Sequence, residues 1–494
     1  MSITAALTRH AQLSAQCVAI VFEGQEMSWG ALDEAVHRLA AHLAAAANGR
    51  PVALHLDNSP ALLLLFLAAA RSGSEALLLD PAWPAPMLDV VLAKLPDPLL
   101  LTSDGDLARR AGGSRVDASL PFAAVADALG APAAYRRVEE PAPERAFYVG
   151  FTSGSTGLPK GYRRSHASWT RGFAGDAAEF GIGSEDVILV PGPMAHSLAP
   201  YAIVRGLNAG AKVLFARRFV PASIWRLMAR ERATVLYCVP TQLKMLLDYT
   251  EDHPTDAPDS VRLVLSTGSK WPPGDAGRLK RGFPQAEFCE FYGTSELGYL
   301  TLAKVSENIP ALSVGRPFPG VCITVRDGKG EVLAPLQHGL VYAESPLMFM
   351  SYAYGAEGAE VRAGSAVSVG DVGYFDEDGL LYLAGRANRM VISGGRNIHP
   401  EEVEEALQAH PAVLRAAVLG VADALRGERL VALVQVRAGT SRADVIRHGL
   451  SRLPAYKVPR QYVLVRDWPA TQAGKPDFAA LQRLLAAGPH EELA

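Results

Sequence analysis

Short apolar runs alternate with helical patterns along the first half of the chain, and this alternation restricts the fold more than any other feature. Residues 52–56 form an apolar run, residues 59–71 carry a helical pattern, and residues 75–79 are again apolar. The same order returns between residues 187 and 266. Because parallel neighbouring strands need crossover helices between them, the pattern predicts an α/β fold with mainly parallel sheets.

The pattern changes after about residue 320. Short strands separated by Gly and Asp turns are predicted at 321–326, 339–344 and 380–384. They indicate an antiparallel region, after which Pro400 opens the first helix of a compact α+β unit. We place the boundary at Asn388, which predicts a large multi-subdomain N-terminal domain (1–387) and a small α+β C-terminal domain (388–494).

The overall composition is that of an ordinary globular protein. The chain has 494 residues, of which 49% are hydrophobic and 20% charged, and its formal net charge is −3. These values exclude a disordered chain, a collagen and a coiled-coil rod. Because there is no excess of basic residues, nucleic acid is not expected as a partner. The expected partners are small molecules or one protein surface.

Two features bear on the cellular compartment. The longest apolar run, residues 61–70, has about half the length of a membrane span, and the first residues lack the basic start and apolar stretch of a signal peptide. The four cysteines are scattered, without the spacing of metal ligands. We therefore expect a cytoplasmic protein with no membrane span and with reduced cysteines.

A run of small polar residues follows the apolar segment 146–151. Its members are Thr152, Ser153, Gly154, Ser155, Thr156 and Gly157. Glycines let backbone N–H groups converge on an anion, hydroxyls add donors, and Lys160 adds a positive charge, so a nucleoside triphosphate is the expected ligand. The alternative is a flexible Ser/Gly linker. A P-loop is excluded because Pro159 stands where its second glycine is required, and no Ser or Thr follows Lys160.

This segment, with the Pro-Lys-Gly that ends it, resembles the signature of the acyl-adenylate-forming superfamily, which includes acyl-CoA synthetases, peptide-synthetase adenylation domains and luciferases. Further stretches resemble motifs of that family and occur in the family's order: DPAWP at 80–84, PMAH at 193–196, FYGTSE at 291–296, GD at 370–371, GR at 385–386, GGRNIHP at 394–400 and GK at 474–475. Each motif is weak alone, but their order makes coincidence negligible. The resemblance spans nearly the whole chain and implies activation of a carboxylic acid with ATP and Mg²⁺.

The resemblance also implies roles for the residues closest to the reaction. Glu296 is implied as the Mg²⁺ ligand, in keeping with the preference of magnesium for hard oxygen donors. Thr294 is implied as a hydrogen-bond partner of the α-phosphate, and His196 belongs to the motif that borders the acyl pocket. Lys475 is expected to reach both the substrate carboxylate and the α-phosphate, where its charge would offset the charge of the two approaching anions.

Other matching residues are assigned to the nucleotide. Asp371 is expected to accept from both ribose hydroxyls, Arg386 to contact the ribose or a phosphate, and Tyr292 to border the adenine. The alternatives are a turn aspartate, an exposed salt-bridge arginine and a core tyrosine. Gly268 and Gly293 are assigned to the same nucleotide site.

The chain departs from the family pattern in two places. The family usually has Asp or Lys at the hinge position that matches Asn388, so the tuning of a domain rotation is in question. Small residues and Pro are more usual near Lys270 and Trp271. A lysine and an indole beside the expected adenine and acyl sites could alter substrate choice.

The residues near His196 bear on the substrate. Amino-acid-activating relatives usually carry an Asp shortly after this motif, whereas residues 194–204 (MAHSLAPYAIV) contain no carboxylate. A free amino acid is therefore not expected, and the apolar side chains suit an aliphatic or aromatic acid. The acceptor is expected to be a pantetheine thiol, since Gly394 and Gly395 would let a pantetheine arm pass close to the backbone.

Three functions remain open from the sequence. The first is an acyl-CoA synthetase. The motif at 394–400 favours it, because its form Gly-Gly-x-Asn-Ile-x-Pro resembles that of CoA ligases. The second is a stand-alone ligase that loads the phosphopantetheine of a separate carrier protein. The third is an adenylate-binding protein without turnover, against which the matching residues Lys160, Thr294, Glu296, Asp371 and Lys475 argue.

Overall fold

The structure is a computed structural model that describes residues 1–153, 158–253, 259–271, 276–354, 361–393, 396–423, 427–470, 476–488 and 490–493. Its contacts divide the chain into two compact units. One comprises Met1–Cys322 and Glu344–Ala359, and the other comprises Ile323–Ala343 and Glu360–Ala494. The domain boundary at Asn388 stays a prediction.

The first unit contains a long mixed sheet whose centre is parallel. In spatial order its strands are Ser313–Pro317, Gly298–Lys304, Glu287–Thr294, Leu263–Ser266, Val235–Cys238, Val187–Val190, Lys212–Phe215, Val18–Phe22 and Gln25–Ser28. The strands from Glu287–Thr294 to Val18–Phe22 run parallel, and antiparallel partners flank them at both ends. The predicted α/β fold with mainly parallel strands is confirmed.

A second sheet of the same unit carries the N-terminal strands. Its order is Ser351–Tyr354, Pro159–Ser165, Ala146–Ser153, Ala76–Leu78, Val52–His55, Leu99–Thr102 and Ser114–Arg115. The strands from Ala146–Ser153 onward are parallel, whereas Pro159–Ser165 turns back antiparallel and Ser351–Tyr354 pairs with it. Thr152 and Ser153, the first residues of the segment predicted to bind phosphate, therefore lie opposite Lys160 and Pro159 on a paired strand.

Helices cross between the strands as the alternation predicts. Those of the first unit are Ala5–Ser14, Trp29–Ala47, Pro60–Ser72, Ala85–Ala93, Gly105–Arg110, Phe122–Ala128, His166–Thr170, Phe173–Phe180, Leu198–Ala209, Pro221–Arg230, Pro240–Asp252 and Ala276–Gly282, with a 3₁₀ turn at Val305–Glu307. The buried helix Pro60–Ser72 shows why the boundaries were readable, since Ser59 caps its first turn and Gly73 ends it in the left-handed region.

The second unit begins with the predicted antiparallel region. The strand order is Val361–Ala363, Ala366–Ser368, Gly339–Glu344, Asp371–Phe375 and Leu381–Arg386, and Cys322–Arg326 also pairs with Gly339–Glu344. The pairs of known register in this group are antiparallel. The prediction of short antiparallel strands after residue 320 is confirmed.

The C-terminal part of that unit is an α+β layer structure. Its strands are Arg396–Ile398, Val391–Ser393, Gly427–Val436 and Val413–Asp423 in spatial order, and Gln461–Leu464 runs parallel to Gly427–Val436. Helices Pro400–Gln408 and Arg442–Arg452 cover one face through Val403, Leu407 and Val445. Helix Phe478–Ala486 covers the other face through Leu481.

The length and apolar character of a helix decide whether it can cross a membrane. Within the ranges that the structure describes, no helix has both the length and the apolar character that a membrane crossing requires.

Candidate active site

The hairpin formed by strands Ala146–Ser153 and Pro159–Ser165 brings together the two ends of the predicted phosphate-binding segment. Thr152 pairs with Lys160 and Ser153 with Pro159 in the strand register. Lys160 is half-buried on its strand. Gly154, Ser155, Thr156 and Gly157 lie outside the described residues. The structure thus places Thr152 and Lys160 opposite each other on two paired strands at the edge of the predicted loop.

Glu296 lies directly beside this hairpin. Its carboxylate oxygen Oε1 accepts hydrogen bonds from Thr152 Oγ1 at 3.3 Å and from the Tyr352 hydroxyl at 3.1 Å. The residue is only 7% exposed. Thr152 and Glu296 are 144 residues apart in sequence, yet the fold joins the two motifs that the sequence assigned to the nucleotide and the metal.

The oxygens around Glu296 fit a magnesium ion. A carboxylate with two neighbouring hydroxyl oxygens is a set of hard donors, and Mg²⁺ is usually held by one or two carboxylates together with water and substrate phosphates. Across the described ranges, no cluster of three or more His, Cys, Asp and Glu side chains is arranged to hold a metal ion. An ion held by Glu296 would take its remaining ligands from water and substrate phosphates.

The tight turn that contains Glu296 fixes Thr294. The strands Glu287–Thr294 and Gly298–Lys304 pair across it, and Thr294 Oγ1 accepts from the Leu297 N–H at 3.1 Å. A threonine hydroxyl that accepts one bond can still donate its hydrogen, as a phosphate contact requires. A Cβ on Gly293 would lie 2.2 Å from the Gly298 carbonyl oxygen, so only glycine fits there. Tyr292 lies one residue earlier on the same strand, half-buried.

Asn58 is a structural residue of the site that the sequence did not reveal. Its side-chain amide donates to the carbonyls of Gly192 and Ala216 at 3.0 and 2.9 Å, and its Oδ1 accepts from the Met194 N–H at 2.8 Å. Asn58 thereby fixes the loop that carries His196. A polar residue between a buried strand and a helix was the available signal, but nothing in the sequence names its distant partners.

The loop that carries His196 meets two other motifs. His196 Nε2 lies 4.0 Å from Asp80 Oδ2, which belongs to the DPAWP stretch. The hydroxyls of Ser197 and Ser295 are 3.1 Å apart. The motifs at 80–84, 193–196 and 291–296 are therefore neighbours in the first unit.

The segment that contains Gly268 is tied to the strand carrying Tyr292. Gly268 adopts a φ of 101°, in the left-handed region, and the Thr267 hydroxyl donates to the Phe291 carbonyl at 2.8 Å. Lys270 Nζ contacts Glu290 Oε2 at 2.8 Å and donates to the Ser313 carbonyl at 2.7 Å.

The indole of Trp271 lies in the hydrophobic core. It is 5% exposed and packs against Phe288 with ring centroids 6.0 Å apart, within a hydrophobic cluster. A side chain in this position cannot line an open pocket without repacking the cluster. The effect of Lys270 and Trp271 on substrate choice stays a prediction.

Asp371 and Arg386 contact each other in the second unit. They are opposite residues of two paired strands, and Arg386 Nε lies 3.0 Å from Asp371 Oδ1. Asp371 is buried, whereas half of the Arg386 side chain is exposed. Gly394, Gly395 and Lys475 lie outside the described residues.

The residue after the predicted hinge is firmly anchored. Asn388 lies in the 3₁₀ turn Ala387–Arg389. Arg389 donates to Glu401 at 2.8 Å and to Glu404 at 2.5 Å, and its guanidinium carbon lies 3.8 Å from the centre of the Phe478 ring. Sequence reasoning missed this cluster. It fixes the end of the turn to the C-terminal α+β layers.

A buried ion pair connects the helix that follows His196 to Asp176. In helix Leu198–Ala209, Tyr201 donates to Asp176 Oδ2 at 2.8 Å and Arg205 Nε lies 3.2 Å from the same atom. Both charged side chains are almost completely buried. Burial raises the pKa of Asp176 to about 7, against the opposing effect of Arg205. Nothing in the sequence indicates that Arg205 forms an ion pair with Asp176, which lies on helix Phe173–Phe180.

Comparison with known proteins gives consistent matches over the whole chain. Residues 7–353 match the family model for the AMP-binding enzyme, and residues 402–475 match the model for the AMP-binding enzyme C-terminal domain. An uncharacterized acyl–CoA ligase, YhfT of Bacillus subtilis (strain 168), is 34% identical over 479 residues, which cover 96% of each chain.

Two solved structures illustrate the structural similarity. O-succinylbenzoate CoA synthetase (MenE) from Bacillus subtilis, in complex with the acyl-adenylate intermediate OSB-AMP, superposes with a TM-score of 0.87 at 25% identity, covering 99% of both chains. The same enzyme in complex with ATP and magnesium ion gives a TM-score of 0.85 at 25% identity, covering 97% of this chain and 99% of that one.

Proposed function

We propose a function from the premise that this chain belongs to the family of AMP-binding enzymes. It is an AMP-forming acid–thiol ligase, which activates a carboxylic acid with ATP to an acyl-adenylate and transfers the acyl group to a thiol. The main structural support for this site is the hydrogen bond from Thr152 to Glu296. It joins the hairpin that we propose binds phosphate to the carboxylate that we propose binds Mg²⁺.

We propose the following roles in the first half-reaction. The segment 152–157 and Lys160 hold the phosphates of ATP, and Thr294 binds the α-phosphate. Glu296, steadied by Thr152 and Tyr352, holds Mg²⁺, which neutralises phosphate charge when bound. Lys475 offsets the charge that builds up as the substrate carboxylate attacks the α-phosphorus and pyrophosphate leaves.

The remaining assigned residues are proposed to bind the rest of the nucleotide. The buried carboxylate of Asp371 suits the ribose hydroxyls, and Arg386, already paired with it, would stand beside the same sugar or a phosphate. Tyr292, Gly293 and Gly268 belong to the strand and segment proposed to border the adenine.

For the second half-reaction we propose that the C-terminal domain, with its boundary at 387/388, presents Gly394 and Gly395 to the thiol. The thiol attacks the acyl carbonyl, the acyl–phosphate bond breaks and AMP leaves. Rotation about Asn388 would exchange the Lys475 loop for the glycine loop, as hinge motions at element boundaries do. The anchoring of Arg389 supports a pivot that ends at this residue.

The acid is proposed to be aliphatic or aromatic. Ala199 and Ala202, in the first turns of helix Leu198–Ala209, are buried and apolar, and residues 194–204 carry no carboxylate for a substrate ammonium. MenE is named as an o-succinylbenzoate CoA synthetase, and o-succinylbenzoate is an aromatic acid, which supports the aromatic option. An apolar pocket distinguishes acids by only about 1–3 kcal/mol per methylene, so a panel of acids is needed to identify the substrate.

We propose CoA as the acceptor thiol. The acyl–CoA ligase name of YhfT and the CoA synthetase name of MenE support this choice over a carrier protein. Offering CoA and phosphopantetheinylated carrier proteins in parallel tests it, with an acid that wild-type protein activates. Acyl transfer to carrier protein but not to CoA would contradict the proposal.

The nucleotide products of the complete reaction provide the test of the function. We expect ATP, Mg²⁺, an accepted acid and CoA to yield pyrophosphate in the first step and AMP in the second, because the site lacks the P-loop spacing that γ-phosphate chemistry usually employs. Product chromatography and a pyrophosphate assay measure this directly. Without the acid, or in the presence of EDTA, neither product should form, and accumulation of ADP would reject adenylation.

We propose a cytoplasmic location. All four cysteines are free in the structure, two of them buried. Burial raises the pKa of the Cys289 thiol to about 12, which keeps it protonated and inert. Unpaired cysteines suit a reducing compartment.

A further inference from the structure

Arg164 is a buried charged residue that the proposed reaction has not used. It lies on strand Pro159–Ser165, four positions beyond Lys160, and is only 4% exposed. Burial lowers the pKa of its guanidinium, but arginine remains a cation under all ordinary conditions. Such a charge is costly to bury and is retained only where its hydrogen bonds have a purpose.

The guanidinium bridges two backbone segments. Its Nη2 donates to the Ser295 carbonyl at 2.9 Å, and its Nη1 donates to the Leu347 carbonyl. Two N–H groups of one planar fork therefore fix two carbonyls relative to each other. A lysine ammonium has no comparable planar geometry.

Both segments hold Glu296. Ser295 is the residue immediately before it. Two residues after Leu347, the Phe349 N–H donates to the Glu296 carbonyl at 2.7 Å, and further along the segment the Tyr352 hydroxyl donates to the Glu296 carboxylate. The guanidinium thus holds the backbone next to Glu296 against the segment that contains Leu347 and Tyr352, and Tyr352 is the hydrogen-bond partner of the Glu296 carboxylate.

We propose that Arg164 is a positioning residue for the magnesium site, which sets the orientation of the Glu296 carboxylate by clamping the Ser295 and Leu347 carbonyls. The inference rests on the proposed function, in which Glu296 holds Mg²⁺. Groups that orient a metal ligand usually cost about 10–100-fold in metal affinity or activity when they are removed.

The neighbouring Arg163 offers a matched control. It has the same side chain on the same strand but points to the other face, where its Nε lies 2.9 Å from Glu75 Oε1 in a partly exposed ion pair. The variants are Arg164→Met, which keeps the volume and removes the clamp, Arg164→Lys, which keeps the charge, and Arg163→Met.

The test measures metal binding and both half-reactions. Mn²⁺ binding, followed by electron paramagnetic resonance with a non-hydrolysable α,β-methylene ATP analogue, gives a readout independent of turnover. Pyrophosphate release is measured against Mg²⁺ concentration with an acid that wild-type protein accepts. Thioester formation is measured separately from synthetic acyl-adenylate and CoA, a step that needs no triphosphate.

For Arg164→Met we expect Mn²⁺ affinity to fall by about 10–100-fold and the half-saturating Mg²⁺ concentration to rise correspondingly. Arg164→Lys should lie between this variant and wild type, and Arg163→Met should match wild type. Thioester formation from acyl-adenylate should stay within about threefold of wild type in all three, because it does not use the metal.

Three outcomes would overturn the inference. The first is that Arg164→Met binds Mn²⁺ as tightly as Arg163→Met does. The second is that Arg164→Met loses both half-reactions in parallel. The third applies if Arg164→Met does not fold, and it is that Arg164→Lys binds the metal with wild-type affinity. If wild-type protein itself forms no pyrophosphate with any acid, the proposed function fails instead. The Mn²⁺ comparison among the variants then still decides the role of Arg164.

Discussion

Lys475→Ala is expected to slow acyl-adenylate formation by about 10²–10³, which corresponds to the roughly 3–4 kcal/mol that a donor preorganised for developing charge contributes. In the proposed mechanism the ammonium lies between two anions, the substrate carboxylate and the α-phosphate, as they approach each other. Its removal leaves that repulsion uncompensated in the transition state. ATP binding should change little, because the hairpin 152–160 and Asp371 would still hold the nucleotide.

The second half-reaction serves as the internal control for Lys475→Ala. Because the lysine is proposed to leave the site before thiol attack, the variant should convert synthetic acyl-adenylate and CoA to thioester at a near-normal rate. Lys329→Ala, at an exposed turn lysine, is the matched variant and should behave as wild type in both steps. A wild-type rate of adenylate formation in Lys475→Ala would make Lys475 an ordinary solvated lysine.

The parts of the fold that were predictable are those set by local sequence. The apolar runs 52–56 and 75–79 contain the parallel strands Val52–His55 and Ala76–Leu78, because buried strands are recognised by continuous hydrophobicity. The helical pattern at 59–71 corresponds to helix Pro60–Ser72, since Ser59 caps its first turn and Gly73 ends it. Gly and Asp turns marked the antiparallel strands after residue 320.

The parts of the site that were not predictable depend on contacts between distant segments. Thr152 and Glu296 were assigned by resemblance, but nothing local identified Tyr352 as the second partner of the carboxylate. Asn58 and Arg164 hold loops more than a hundred residues away, through backbone carbonyls that any residue type provides. Neither residue stands out in the sequence, since Asn58 lies between Asp57 and Ser59, and Arg164 lies between Arg163 and Ser165.

Trp271 shows how packing decides the environment of a side chain. The sequence shows only that the chain departs from the family pattern there, whereas the structure packs the indole in the core beside Phe288. Packing between layers of the fold decides whether a side chain faces the core, and one-dimensional patterns do not contain this information. The Asp176–Arg205 pair was missed for the same reason, because helices Phe173–Phe180 and Leu198–Ala209 meet only in the folded chain.

That buried pair leads to the second large expected effect. Arg205→Met should lower the free energy of unfolding by about 3–5 kcal/mol, because removing one partner leaves the other charge buried and unpaired. Arg171→Met is the matched control, since Arg171 contacts Glu144 at 3.0 Å and both side chains are more than half exposed. An exposed pair of this kind contributes about 0–1 kcal/mol, so thermal unfolding of Arg171→Met should differ little from wild type.

The destabilisation by Arg205→Met should also depend on pH in a defined direction. Burial already raises the pKa of Asp176 from 3.8 to about 7, so this carboxyl binds more protons in the folded state than in the unfolded state. Its contribution to stability is therefore complete below the unfolded pKa and is lost as the pH rises through the folded pKa. Without Arg205 the folded pKa rises further, and the loss extends to higher pH.

Thermal unfolding of wild type and Arg205→Met at about pH 5.5 and about pH 8 measures this effect. The difference in melting temperature should be larger at the higher pH, where the folded variant must keep the Asp176 carboxyl protonated while the unfolded chain ionises it. Adding Asp176→Asn to Arg205→Met should recover much of the loss and remove the additional pH dependence, because the amide still accepts from Tyr201 but carries no charge. An equal difference at both pH values would show that Arg205 stabilises the helices by packing rather than by neutralising Asp176.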